Sequence, residues 1–258
     1  MNNTIYVHIG LHKTATTALQ NQCFNKFKNI SYLGRTGGSF FGNSSIYEAV
    51  CGYCFGQKGI KLDKVRQNLN AELEKNSILI SDEWLTSDYD GLTGLKGALW
   101  QEKIERLGEV LNGLKYKVLM TIRAPYECSF SLYCEFGCVG VAERYPTYYQ
   151  FLSESNECKI FQYQESINFI KTKLSFVEIL KYETLVENEN IFFKSLFMFF
   201  GEKEELDSRL SKSNITNKIS IGVRRQRFTY LQTMLAYILN LVPESYKNKI
   251  RKTFLMKM

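Results

Sequence analysis

The sequence predicts a three-layer α/β domain, with a parallel sheet of four to five strands, helices on both faces and a helical C-terminal extension. Three observations lead there. Short apolar runs stand at 4–9, 77–83, 116–122 and 176–180. The segments between them are amphipathic and long enough for crossover helices, so the strands they join pair in parallel. The first run ends in a Gly-containing turn followed by Lys and several hydroxyls, at the entry to a helix.

Residues 4–9 read as a buried strand and 15–27 as a helix, because Ala18, Leu19, Cys23 and Phe24 recur at helical spacing. From Ile30 to Gly59 the composition turns to Gly, Ser and aromatic residues, which predicts a long surface loop with a short helix over 46–54. Ile60, Leu62, Val65, Leu69 and Leu73 mark an amphipathic helix over 60–75, and Ser77 to Ser81 form a second strand that ends in Asp82 and Glu83. A helix over 101–113 stops at Asn112-Gly113, and 116–122 is a third strand that delivers Arg123. Pro125 fits the first turn of the next helix, where its missing N–H is harmless. That helix carries Ser129 to Phe136. A loop over 137–146, two aromatic-rich helices over 147–172, a fourth strand over 176–180 and a core-facing helix over 190–200 follow. Residues 1–220 are expected to make the α/β domain, with 34–60 and 137–172 as loops and helices on the acceptor side, and 221–258 a basic, amphipathic helical tail.

A chain of 258 residues can bury one sizeable core, and 45% apolar with 23% charged residues is ordinary for a globular protein. The formal charge of +7 suits a polyanionic ligand, a nucleic acid or an anionic membrane surface without choosing among them. No apolar run reaches the ~20 residues of a membrane span. Seven scattered cysteines, an odd number with no secretory signal before them, predict reduced thiols in a cytoplasm. Cys51 and Cys54 have the spacing of a metal knuckle or redox pair. No second pair stands at ligand spacing, and His8 and His12 are the only histidines, so no metal site is expected.

The stretch His8 to Gln20, HIGLHKTATTALQ, reads as an anion site. Backbone N–H groups face the anion, Lys13 adds a full charge, and Thr14, Thr16 and Thr17 add short donors. It is not a Walker A loop, which needs Gly six residues before its Lys and again immediately before it; here those positions are Val7 and His12. The stretch resembles the 5′-phosphosulfate loop of sulfotransferases that use 3′-phosphoadenosine-5′-phosphosulfate (PAPS), whose bacterial members often read close to HIG-x-x-KTGTT-x-LQ. Ala15 stands where those members usually carry Gly, which implies that residue 15 does not need positive φ.

The second constellation is IRAPYECSFSLYCEF, residues 122–136. A guanidinium suits a phosphate dianion because its donor fork is fixed and always charged, and Ser131, eight residues after Arg123, adds a hydroxyl from the neighbouring helix. Arg123, Pro125, Ser131 and Tyr133 match the 3′-phosphate motif of the same family, R-x-P with Ser at plus eight and Tyr at plus ten. Val177 to Leu185 looks like that family's strand followed by YE-x-L, where Tyr182 and Glu183 serve the sheet rather than the chemistry. The resemblance spans about residues 4–200 and implies a P-loop-like fold that binds PAPS as sulfonyl donor through Lys13, Thr14, Ala15, Thr16, Thr17, Arg123 and Ser131.

In-line sulfonyl transfer needs a cation at the leaving phosphate, and Lys13 fits that role. It also needs a base for the attacking hydroxyl. Glu83, just past a strand end in a segment resembling the SxE of bacterial sulfotransferases, is the first choice; Asp82 and His12 follow, and His8 reads as structural. The acceptor implied by the resemblance is a carbohydrate, in a surface polysaccharide or glycolipid, and aromatic residues of 145–151 would suit sugar stacking. Arg225, with Arg224 and Arg227, stands where many sulfotransferases close the nucleotide site with a basic loop. The apolar and basic residues of the tail would suit peripheral contact with an anionic membrane. Two alternatives stay open: a nucleotide-dependent P-loop kinase, since Lys13-Thr14 and Ser77 to Glu83 imitate Walker motifs, and a non-catalytic anion- or membrane-binding protein. No nucleic-acid motif is present.

Overall fold

The computed structural model describes residues 3–35, 42–88, 98–136 and 144–202. Five strands, β1 (Ile5–His8), β2 (Ile30–Gly34), β3 (Ser77–Ser81), β4 (Tyr116–Ile122) and β5 (Val177–Lys181), form one parallel sheet in the order β2-β3-β1-β4-β5. Chain order follows from the crossovers. From β1 the chain leaves toward β2 and β3; from β3 it crosses over β1 to β4 and continues outward to β5.

The period-2 alternation of the strands sorts their side chains into two cores. On one face Ile5, Val7, Ile78, Ile80, Val118 and Met120 pack against helices α2 (Ser45–Cys54), α3 (Leu62–Leu73), α4 (Trp100–Leu111) and α5 (Pro125–Phe136). On the other, Tyr6, Leu79 and Leu119 meet α1 (Thr16–Gln22) and a run of phenylalanines from a later helix. Both faces of the central strands are covered, which is why β1 is buried at all four positions and its sequence is apolar throughout except for His8.

After α5 come α6 (Tyr148–Glu154), a 3₁₀ turn over Asn156–Phe161, α7 (Tyr163–Lys173), β5, α8 (Tyr182–Glu187) and α9 (Glu189–Phe200). α6 begins with a full capping box, in which the Thr147 side chain accepts from Gln150 N and the Gln150 side chain accepts from Thr147 N. α9 presents Phe192, Phe193, Leu196, Phe197 and Phe200 to the second core and stops at Gly201, which takes the left-handed conformation that suits glycine at a helix end.

The structure departs from the sequence reading around β2 and α1. Ile30–Gly34 is a strand rather than the start of a loop: Tyr32 and Leu33 are buried, and the row pairs with β3 from Ser77 to Ser81. Its Ser, Tyr and Gly dilute the apolar signal of an outer strand. The predicted helix over 15–27 ends at Gln22 and continues as a 3₁₀ turn over Phe24–Lys26. The two helices predicted over 147–172 are present as α6 and α7, with the 3₁₀ turn between them. No helix among the described residues is long and apolar enough to cross a membrane. The predicted tail over 221–258, with Arg224, Arg225 and Arg227, lies outside the described residues.

Candidate active site

The site grows from the gap between β1 and β4. Past its last paired residue the β1 chain keeps alongside β4, with Ile9 N donating to Leu119 O (2.9 Å) and Leu11 N to Thr121 O (3.0 Å). β1 connects toward one side of the sheet and β4 toward the other, so the connections that leave their carboxyl ends part at this point. Ligands of open parallel sheets collect at that switch point.

Gly10 makes the close approach possible. A Cβ there would stand 2.5 Å from Thr121 Oγ1, 2.6 Å from Thr16 Oγ1 and 2.9 Å from a ring carbon of His8. Beyond it the loop turns through two left-handed residues, Lys13 (φ 66) and Ala15 (φ 64). Ala15 therefore does adopt positive φ, against the expectation from its replacement of Gly. The cost of one Cβ in this region is about 1–2 kcal/mol, small enough for the surrounding contacts to hold it. Those contacts include Thr14, whose hydroxyl donates to Leu11 O (2.6 Å) and touches Thr121 Oγ1 at 2.9 Å.

Leu19 N donates to Ala15 O at the start of α1, and no side-chain hydrogen bond caps this helix. Thr16 is buried and Thr17 exposed at the start of this helix. Because α1 is only two turns long, its dipole adds little. Lys13 and the loop amides carry the positive potential.

Arg123, one residue past β4, is brought to the same loop. Its Nη1 donates to Lys13 O at 3.3 Å, its Nη2 pairs with Glu127 Oε2 at 2.6 Å, and its guanidinium lies 4.8 Å over the ring of Tyr182. Tyr163 OH donates to its carbonyl, and Glu183 Oε1 accepts from Ala124 N at 2.7 Å. Tyr182 and Glu183 thus fix the arginine's segment. Arg123 Nε is buried without a hydrogen-bond partner, an orphaned donor of the kind a bound anion satisfies. Ser131 is half-buried on α5, one turn on from Glu127, the residue that pairs with Arg123. Tyr133 OH points instead to the carbonyls of Tyr145 and Pro146 and ties α5 to the segment before α6.

Of the candidate bases, Asp82 is buried and fully engaged. It accepts from Tyr47 OH (2.8 Å) and from Trp84 N (3.0 Å), capping the 3₁₀ turn Glu83–Thr86, and Arg35 Nε lies 3.6 Å away. Glu83 is the more open carboxylate, its side chain 21% exposed, with His12 Nδ1 at 3.8 Å and Arg35 Nη1 at 3.9 Å. His8 is structural: Ser81 Oγ (2.8 Å) and Thr121 Oγ1 (3.1 Å) occupy its ring nitrogens, and burial lowers its pKa to about 3. Burial, then the charges of Lys13, Arg35 and Lys103, lower His12 to about 3, so its contacts with carboxylates are polar rather than ionic.

Sequence reasoning missed Glu157, Arg35 and Lys103, all buried or nearly so around His12. Burial pushes Glu157 up to about 8, opposed by hydrogen bonds from Ser87 and Asp88 N and by Lys103. No periodic or motif signal marks these residues. The expected stacking residues of 145–151 divide: Tyr145 and Phe151 belong to the core, and Tyr149 is 77% exposed. A separate aromatic surface lies on α5, where the parallel rings of Tyr126 and Phe130, 5.9 Å apart, are both exposed and Tyr148 meets each edge-on. Cys51 and Cys54 lie buried on α2 as free thiols, and burial raises the pKa of both. Among the described residues no group of three or more His, Cys, Asp or Glu is placed to hold a metal ion.

No family model matches the chain, and no curated protein matches it in sequence. Among solved structures it is similar to a sulfotransferase from Alicyclobacillus acidocaldarius, at 12% identity and a TM-score of 0.49 over 96% of this chain and 99% of that one. It is also similar to the sulfotransferase domain of the curacin biosynthetic pathway, at 10% identity and a TM-score of 0.40 over 80% of this chain and 76% of that one.

Proposed function

We propose that this protein transfers a sulfonyl group from PAPS to a hydroxyl of a carbohydrate, carried by a polysaccharide or a glycolipid. The observation that carries this reading is the meeting of the Lys13 loop with the Arg123 guanidinium at the β1/β4 crevice, beside a carboxylate and without a Walker glycine pattern. A nucleotide with phosphate at both its 3′ and 5′ positions needs two separate cationic cradles. The loop amides with Lys13 form one, and Arg123 with its orphaned Nε and Ser131 on the adjoining helix face forms the other.

PAPS supplies an activated sulfonyl group whose leaving phosphate gains charge as the bond breaks. Lys13 would neutralise that charge, in a site whose walls are buried enough to make each charge count. Glu83 would accept the proton of the attacking hydroxyl. The flat faces of Tyr126 and Phe130, on the helix that starts beside Arg123, suit the C–H face of a sugar ring. The hydroxyl of Thr14 and the carboxylate of Asp82, which a kinase would turn to magnesium, are occupied by Leu11 O, Tyr47 and Trp84 N.

Calorimetric titration with 3′-phosphoadenosine-5′-phosphate, ATP as control and chelator present, tests the donor site. Metal-independent binding that prefers the 3′-phosphate and drops at least tenfold in Arg123→Ala is expected, followed by transfer of labelled sulfate to a carbohydrate panel. Preference for ATP with magnesium would sink the sulfotransferase reading.

A further inference from the structure

An imidazole stands here between two carboxyl groups of unequal depth. Glu157 rises from the 3₁₀ turn Asn156–Phe161, and its Oε2 accepts from Ser87 Oγ (3.0 Å) and Asp88 N (2.6 Å). Its Oε1 is buried, makes no hydrogen bond and faces His12 Nε2 at 3.6 Å. On the other side of the same ring, Nδ1 faces Glu83 Oε1 at 3.8 Å. Side-chain exposure along the row runs 5%, 8% and 21%, so it leads from the core to the mouth of the crevice.

We propose that Glu157 is a positioning residue that works as a protonated acid: its Oε1–H points at His12 Nε2, keeps the ring's own proton on Nδ1, and thereby supplies the donor that holds Glu83. Only the use to which Glu83 is then put rests on the sulfonyl-transfer reading. Both gaps are slightly longer than a hydrogen bond, as in many ligand-free sites whose contacts tighten when substrate binds.

The charges around the row agree with this proton count. Burial, and then the charges of Lys13, Arg35 and Lys103, keep the His12 ring neutral. Cys128 Sγ donates to the His12 carbonyl and the ring meets Trp84 edge-on, so neither brings a charge. Around Glu157 the charged groups are Asp88, which disfavours a second anion, and Lys103, whose Nζ is spent on the carbonyls of Trp84 and Ser87. Burial outweighs them, and with a pKa of about 8 the acid keeps its proton at neutral pH. A neutral acid on one side and an ionised carboxylate on the other leave one favourable tautomer, with Nε2 accepting and Nδ1 donating. Once Glu157 ionises, its carboxylate claims an N–H at Nε2. The ring proton then leaves Nδ1, and a lone pair faces the Glu83 carboxylate.

The tautomer is read directly by NMR of the full chain labelled with ¹⁵N-histidine, the His12→Gln variant assigning the signals of the two rings. In wild type the expected pattern is Nδ1–H at pH 7, changing to Nε2–H with a midpoint near pH 8. In Glu157→Gln the amide oxygen takes the bonds from Ser87 and Asp88 N and the amide NH₂ faces Nε2, so Nδ1–H should persist to pH 10. Turnover of ³⁵S-labelled PAPS with a panel of sugars should fall about tenfold per pH unit above 8 in wild type and stay level with pH in Glu157→Gln. A wild-type ring that is Nε2–H at pH 7, or that keeps one tautomer from pH 6 to 10, overturns the inference. So does an alkaline fall in turnover that Glu157→Gln leaves in place. A Glu157-dependent tautomer change in a protein that neither binds the nucleotide nor transfers sulfonyl would uphold the inference and remove the sulfonyl-transfer reading instead.

Discussion

The guanidinium of Arg123 donates to the backbone carbonyl of Lys13 across 110 residues of chain, joining the end of β4 to the loop after β1. A lysine cannot reproduce the whole of that arrangement, in which one guanidinium also pairs with Glu127 and lies over the ring of Tyr182. Arg123→Lys should therefore weaken binding of 3′-phosphoadenosine-5′-phosphate at least tenfold, measured by calorimetry. Stability should fall by about 1–2 kcal/mol in urea unfolding, because a buried network loses its partner. Unchanged affinity in a folded Lys variant would remove Arg123 from the ligand site.

Gly10 has no room for a side chain between His8, Thr16 and Thr121. In Gly10→Ala the added carbon should push the loop away from β4, at about 1–3 kcal/mol of stability. Nucleotide affinity should drop with it, since the loop amides lose their alignment. Thermal unfolding and calorimetry on the same sample separate the two effects.

Ala15 offers a change in the opposite direction. Its φ of 64 penalises a Cβ, while glycine loses more backbone freedom on folding. The first effect is the larger, so Ala15→Gly should stabilise by about 0.5–1 kcal/mol and Ala15→Val should destabilise. Urea midpoints decide it: a less stable glycine variant would mean that the left-handed conformation costs less than the freedom it replaces.

Stability should peak near pH 6.5. His8 and His12 have folded pKa values of about 3 against 6.5, so the unfolded chain binds two more protons between these values and stability rises with pH there. Glu157, at about 8 against 4.5, acts oppositely, because the folded protein keeps a proton that the unfolded chain releases. From pH 4.5 to 6.5 the net is one proton, or about 1.4 kcal/mol per pH unit gained. From 6.5 to 8 only Glu157 remains and the same slope is lost. Urea titrations at pH 5, 6.5 and 8 check both limbs: a flat lower limb would mean that the folded protein carries one charged histidine, and a falling one that it carries both.

How far the chain could be read depended on where each group is anchored. Lys13 and Arg123 were legible because each closely follows an apolar strand, and the carboxyl ends of parallel strands lie along one edge of the sheet. β2 escaped because Ser31, Tyr32 and Gly34 break the apolar row of an outer strand, whose one unpaired edge demands less burial. Glu157 and Arg35 escaped for a different reason. They enter from a 3₁₀ turn and from a residue just past β2, and only tertiary packing brings them to His12. The conformation of Ala15 was misjudged because the expectation came from residue type, whereas the loop's hydrogen bonds decide the backbone.

The thiol of Cys128 lies fully buried beneath the loop and donates to the His12 carbonyl at 2.8 Å, with burial pushing its pKa up to about 12. A thiol so placed reacts only when the segment above it lifts, since the thiolate is the nucleophile and needs solvent. Its rate of alkylation is consequently a clock for the local opening of residues 11–17, running independently of global unfolding. Anything that settles on those residues slows the clock, so an anion's grip can be timed chemically even before an acceptor for the reaction is in hand.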